Sequence, residues 1–159
     1  MKYMFASDVH GSAYYCRKML DVYKEEKAER LVLLGDLLYH GPRNDLPREY
    51  APKQVISMLN DMKKEIYAVR GNCEAEVDQM VLQFPVMADY CILNLDGRTF
   101  YATHGHIYNE NNLPPIQEGD ILIHGHTHVL KAEQKEGYVL LNPVLFHSKE
   151  GNPPTICDL

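Results

Sequence analysis

The sequence predicts an α/β sandwich, two mixed β-sheets packed face to face with helices outside. Three observations predict it. The first half alternates short aliphatic runs with amphipathic stretches of helical period, the second half carries period-two runs around turn residues, and the aliphatic runs stop at polar turns containing glycine. At 159 residues the chain reads as a single domain, 1–159, long enough to enclose a real core.

Taken in order, Tyr3 to Ser7 is an apolar strand ending in Asp8-Val9-His10-Gly11-Ser12. Ser12 is placed to cap a helix from Ala13 to Lys27, whose inner face carries Met19, Leu20 and Tyr23. Leu31 to Leu34 is the next buried strand and stops at Gly35-Asp36. Strand, helix, strand favours a right-handed parallel crossover. The loop from Leu37 to Pro52 is rich in Pro, Arg, Asn and His, and irregular loops of that length inside a domain are more often functional than idle. A helix from Pro52 to Met62 begins with proline at a permitted first-turn position and turns Val55, Ile56, Met58 and Leu59 inward. Ile66 to Val69 is the third strand, followed by Arg70-Gly71-Asn72-Cys73-Glu74 and a short helix from Glu76 to Gln83.

The pattern then changes. Tyr90 to Leu95 and Arg98 to Thr103, joined by Asp96-Gly97, read as a hairpin that ends in His104-Gly105-His106. Asp120 to His124 is a buried strand ending in Gly125-His126-Thr127-His128, and Ala132 to Glu136 with Tyr138 to Leu141 form a last hairpin around Gly137. This half is expected to be mostly antiparallel.

Composition narrows the function. Hydrophobic residues at 45% and charged residues at 24% are ordinary for a globular protein. A net charge of -6 without a basic run argues against binding a polymeric nucleic acid. No stretch approaches the apolar length of a membrane span, and Asp8 and His10 interrupt the apolar start, against a secretory leader. Cys16, Cys73, Cys91 and Cys157 show no C-x-x-C spacing, so a reduced, cytoplasmic chain is expected.

The chemistry lies at the strand ends. Asp8 and His10, Asp36, Asn72, His104, then His126 and His128 arrive from five segments, each beside a glycine. In open α/β sheets, ligands bind beyond the carboxyl ends of the strands. A set of carboxylate, imidazole and amide without thiolate suits first-row divalent ions with open positions rather than a closed structural zinc site. These donors are too many for one catalytic ion and about right for two bridged by a carboxylate, the arrangement that clamps an in-line phosphoryl displacement.

The motifs D-x-H, G-D, G-N-x-E, H-G-H and G-H-T-H, in that order, resemble the calcineurin-like metallophosphoesterase superfamily, and within it the small bacterial YfcE-like phosphodiesterases. The resemblance covers nearly the whole chain. It implies the four-layer α/β/β/α metallophosphoesterase fold and hydrolysis of a phosphodiester by hydroxide held between two divalent ions, manganese first, with Zn, Fe, Ni or Co as alternatives. It also implies that Asp8, His10 and His128 hold one ion, that Asn72, His104 and His126 hold the other, and that Asp36 bridges them. A small phosphodiester substrate and a homo-oligomer follow from the same likeness.

One departure matters. Where many relatives have a histidine taken as the general acid, this chain has Cys73. A thiol is the poorer proton donor to an alkoxide, so diesters with good leaving groups are expected to be favoured; simple packing beside the site is the alternative for Cys73. Asn72, His106 and Cys73 are the catalytic candidates, His106 as a substitute proton donor. His40 and Arg43 are candidate substrate contacts, Arg43 because its fork grips a phosphate oxygen pair, while His40 reads equally as a loop histidine in water. His124 is read as structural and His147 is unassigned. After Asn142-Pro143, Val144-Leu145-Phe146 replaces the family's small-residue turn, and the terminus is shorter than the resemblance implies; a missing last strand would leave a sheet edge exposed. The competing functions are a phosphomonoesterase or nucleotide phosphatase on the same site, and a catalytically silent scaffold such as the retromer subunit of this fold. Scaffolds of that kind have lost ligands that are all present here.

Overall fold

A computed structural model describes residues 1–143. The segment Val144-Leu145-Phe146, His147 and the chain end, on which the expectation of a missing last strand rests, lie outside the described residues. The elements are β1 (Tyr3–Ala6), α1 (Ala13–Glu25), β2 (Arg30–Leu33), α2 (Pro52–Asp61), β3 (Ile66–Ala68), α3 (Glu76–Val81), β4 (Tyr90–Leu95), β5 (Arg98–Thr103), β6 (Asp120–Ile123), β7 (Lys131–Gln134) and β8 (Tyr138–Asn142).

They build two sheets. One has the order β1-β2-β3 and is wholly parallel; the other has the order β4-β5-β6-β8-β7 and is mixed. Side-chain alternation on the central strand of the first sheet explains the layering. Leu31 and Leu33 point to one side, where they meet Met19, Leu20 and Tyr23 of α1 and Val55 and Leu59 of α2. Val32 and Leu34 point to the other side, where they meet Phe100, Ala102, Ile121, Ile123 and Leu141 of the second sheet. Phe5 and Phe100 stack across the sandwich with ring centroids 6.0 Å apart. Each such fully buried aliphatic side chain contributes about 1.5–3 kcal/mol. The outer face of the mixed sheet carries Leu122, Tyr138 and Leu140, packed against Tyr101 and Ile116.

Local rules set the ends. The Ser12 side chain accepts from the Tyr15 N–H at 3.3 Å and starts α1. The helix stops two residues earlier than its apolar pattern suggests, because Lys27 turns left-handed at φ 52°. Asp96 and Gly97, at φ 47° and 79°, make the tight turn between β4 and β5.

The second half is not mostly antiparallel. β5 with β6 and β6 with β8 are parallel pairs, while only β4 with β5 and β7 with β8 are antiparallel. The long connection from Gly105 to Gly119 carries the chain back past the sheet, so β6 starts at the same end as β5. This return has a consequence for chemistry: both strands then finish on one edge.

Candidate metal centre

β1 runs into Asp8 and His10, β2 into Asp36, β3 into Asn72, β5 into His104, and β6 into His126 and His128. Parallel pairing within each sheet delivers these donors to a common edge, and the edges of the two sheets meet there. The His126 N–H donates to Asp8 Oδ2 at 3.0 Å, and His104 Nε2 lies 3.0 Å from Asn72 Oδ1.

The donors form two groups. Asp8, His10 and His128 offer ligand atoms within 4.8 Å of one another, as do Asp36, His104 and His126. Asp36 joins the groups, its Oδ2 lying 3.7 Å from His10 Nε2 and 3.4 Å from His104 Nε2. Cys73 makes a further grouping with His10 and Asp36 within the same limit.

Ring orientation shows what this edge can hold. His10 Nδ1 donates to the Tyr39 carbonyl at 2.8 Å, and His104 Nδ1 donates to the Leu34 carbonyl at 2.8 Å. A carbonyl only accepts, so in the neutral rings the lone pair sits on Nε2. His10 Nε2 then faces His128 Nε2 at 3.3 Å and Asp8 Oδ1 at 3.6 Å. His104 Nε2 faces Asn72 Oδ1 at 3.0 Å and His126 Nδ1 at 3.1 Å. Lone pairs converging in this way repel unless a proton or a cation stands between them. Histidines oriented by a carbonyl on the far nitrogen, with carboxylate and amide oxygens alongside, fit first-row divalent ions.

Protons do part of that work in the ion-free protein. Burial alone would raise the Asp8 carboxyl, yet its bonds to His10 and His128 hold it far below the usual carboxylate range. Burial likewise opposes, and His104 outweighs it, in lowering Asp36. Conversely, burial would lower His10 and His104, but Asp8 beside the first and Asp36 beside the second raise both. His126 is pulled down, by burial first and then by His104.

Tight bends make the convergence possible. Five of the donors lie in the left-handed region: Asp8 at φ 61°, His10 at 49°, Asp36 at 55°, His126 at 66° and His128 at 55°. Such a conformation costs a residue with a β-carbon about 1–2 kcal/mol, and that kind of strain gathers at functional sites. Backbone bonds hold the bends, Asp8 N–H to the Gly35 carbonyl at 3.0 Å and His10 N–H to the Asp36 carbonyl at 2.8 Å. At Gly125 a β-carbon would collide with Ser7 and Asp8, so the turn between the sheets closes only on glycine.

A cleft of about 260 Å³ opens over the centre. Its walls are Gly41, Pro42, Arg43, Asn44 and Thr127, and its base is made by His10, Asp36, Asn72, Cys73, His126 and His128. Arg43 is the cation of this wall. Asn44 shapes its turn by donating from Nδ2 to the His40 carbonyl at 2.9 Å. His40 packs edge-on to Tyr39 and Tyr50 and lines a smaller hollow beside Asp8, His10 and His128. His106 is half-buried beside the centre, its ring centroid 5.3 Å from that of His104 and 6.4 Å from that of His126, with Nδ1 buried and lacking a hydrogen-bond partner. Burial, then His104 and Arg70, pull its pKa down. Cys73 donates its N–H to Asp36 Oδ1 at 2.9 Å, and burial, then Asp36, push its thiol up. His124 is buried and donates from Nδ1 to the Gly125 carbonyl at 3.0 Å.

Sequence reading passed over Asn44, Thr127 and Asn142. Asn142 Nδ2 donates to the Gly125 carbonyl at 3.1 Å and to Thr127 Oγ1 at 2.9 Å, so it steadies the turn that carries His126 and His128. The available signal was position alone: Asn44 follows Arg43, and Thr127 sits between two histidines.

Comparison with known proteins gives the family and the fold. Residues 1–157 match the model of the calcineurin-like phosphoesterase superfamily domain. Over 154 residues the chain is 45% identical to Phosphodiesterase YfcE of Escherichia coli (strain K12), a match covering 96% of this chain and 84% of that protein. The solved structure of E. coli YfcE superposes with a TM-score of 0.93 at 44% identity, over 98% of this chain and 86% of that one. Wild-type Vps29 of Entamoeba histolytica, solved with zinc, shares the fold at 19% identity and a TM-score of 0.56, over 97% of this chain and 81% of that one.

Proposed function

The chain belongs to the calcineurin-like phosphoesterase superfamily, and from that premise we propose that it is a metal-dependent phosphodiesterase with two divalent ions sharing Asp36. The observation that carries the proposal is the place of Asp36, within 3.4 Å and 3.7 Å of one imidazole from each donor group. Asp8, His10 and His128 hold one ion; Asn72, His104 and His126 hold the other. Manganese is the ion proposed, with zinc, iron, nickel or cobalt compatible with the same donors. The 45% identical relative, itself named a phosphodiesterase, supports the choice of substrate class.

When bound, the ions supply Lewis acidity toward the phosphoryl oxygens and lower the pKa of the water that attacks phosphorus. The protein's own part is to orient and to exclude. The Leu34 and Tyr39 carbonyls fix two imidazoles, and the Cys73 N–H fixes Asp36. Arg43 grips a non-bridging oxygen pair from the cleft wall. A cleft of about 260 Å³ gives room for a small diester over the centre. No described helix is long and apolar enough to cross a membrane. The same reading makes the chain a single domain that works in the cytoplasm as a homo-oligomer.

Proton donation is the weak point of this site. The Cys73 thiol is pushed up by burial and is a poor acid, while burial, then His104, pull the His106 imidazole down. A positioned general acid contributes about 10²–10⁴-fold, so its lack falls on substrates whose leaving group needs a proton. Across a series of aryl and alkyl diesters, kcat is expected to fall steadily as leaving-group pKa rises. A flat series would contradict this.

The test of substrate class is direct. With ions restored, a diester and a monoester carrying the same aryl group are compared. The diester is expected to turn over faster. A faster monoester moves the assignment to a phosphomonoesterase or nucleotide phosphatase, and ion binding without hydrolysis of either moves it to a scaffold.

A further inference from the structure

The motif Gly71-Asn72-Cys73-Glu74 ends in a residue that the metal centre leaves without a task. Glu74 is 8% exposed, and its carboxylate is fully engaged. Oε2 accepts from the Asp36 N–H at 2.8 Å and from the Gly71 N–H at 2.6 Å, and Oε1 accepts from the Leu37 N–H at 2.7 Å. Those amides belong to two different turns, the one after β2 that carries Asp36 and the one after β3 that carries Asn72. The turns are already in close contact, since a β-carbon on Gly71 would collide with Asp36. Asp36 holds a left-handed φ of 55° that needs support from its surroundings.

We propose that Glu74 is a positioning residue: its carboxylate clamps the Asp36 turn onto the Asn72 turn, so that the shared carboxylate and the amide oxygen face the ions at a fixed separation. The inference rests on the metal-centre reading above. The chemistry demands an acceptor-only group, because three N–H donors converge on two oxygens. Glutamine has the same length but one of its ends is a donor. Placed with its oxygen toward Asp36 and Gly71, it turns an NH₂ onto the Leu37 N–H; flipped, it opposes the other two. Either way a buried N–H loses its acceptor and meets another donor.

The test is manganese titration of metal-stripped full-length protein by calorimetry, comparing the unaltered chain, Glu74→Gln and Ile66→Val. Ile66 is buried in β3 away from the donors, so its variant reports the effect of general destabilisation. Glu74→Gln is expected to bind manganese about 10- to 100-fold more weakly, the usual loss when a partner of metal ligands is removed, while Ile66→Val binds as the unaltered chain does. Equal affinity in Glu74→Gln overturns the assignment and leaves the metal centre standing. An unaltered chain that takes up no manganese overturns the metal centre and the assignment with it. If Glu74→Gln does not fold, amide exchange in the unaltered, ion-free protein decides the matter. The Asp36, Leu37 and Gly71 N–H groups are expected to exchange slowly, and rapid exchange at all three overturns the clamp.

Discussion

Asp36→Asn is expected to lower kcat/KM by at least about a hundredfold and to leave no more than one tightly held ion per chain; outer-shell partners of metal ligands alone cost about 10- to 100-fold. The substitution is informative because it keeps shape while removing charge. An asparagine Oδ1 still accepts from the Cys73 N–H, which Asp36 now holds at 2.9 Å, so the turn is retained. The other arm, however, becomes an NH₂ aimed at His10 and His104, whose Nε2 atoms lie 3.7 Å and 3.4 Å from the present carboxylate oxygen. A donor placed there supplies no negative charge to hold two cations near each other. Elemental analysis of the dialysed variant, alongside its kinetics, checks both halves. A variant that keeps two ions and full activity would show that Asp36 is not shared.

Stripping the ions with a chelator is expected to take hydrolysis to the uncatalysed background, and the ions should return more tightly as pH rises. The sign follows from the ion-free site. Burial works to lower His10 and His104, but Asp8 and Asp36 raise both, so each holds a proton above the usual imidazole range. A divalent ion needs the neutral ring, so each of these protons competes with it. Asp8 and Asp36 are held low and stay ionised through neutral pH, and His126 is pulled low and is already neutral; none of them contributes to the slope there. Raising pH from about 6 to about 8 therefore strengthens binding, by up to about tenfold per pH unit for each proton displaced. Manganese titrations at several pH values measure the slope. An affinity independent of pH would mean that the ions do not sit on His10 and His104.

The clustering of these donors was legible in the sequence, and the reasons are local. Val32 and Leu34 sit in a short aliphatic run bounded by polar residues, which reads as a buried strand, and the Gly35-Asp36 that ends it is a polar group at a place where sheets bind ligands. The same reasoning works at Asn72, His104, His126 and His128, because a strand's end is visible in composition. Pairing direction was not visible. The period-two pattern of β5 is the same whether β6 lies parallel or antiparallel to it, and only the path of the connection decides. Nor were the groups that aim each ring, since the Leu34 and Tyr39 carbonyls are backbone and carry no residue identity. Glu74 was seen in its motif, but its bonds to Asp36 and Leu37 span 38 and 37 residues and exist only once β2 and β3 pair. His106 and His40 stand next to functional residues in sequence and stay close to them in the fold: the His106 ring lies 5.3 Å from that of His104, and His40 lines the hollow beside Asp8, His10 and His128.

In the proposed centre, seven side chains from five segments converge on a pair of cations through Asp36. Anomalous scattering from a manganese-soaked crystal tests it most directly. Two peaks about 3.5–4 Å apart, with Asp36 touching both and Asn72 beside His104 on one of them, are the predicted result. A single peak, or a pair that Asp36 does not touch, would contradict it.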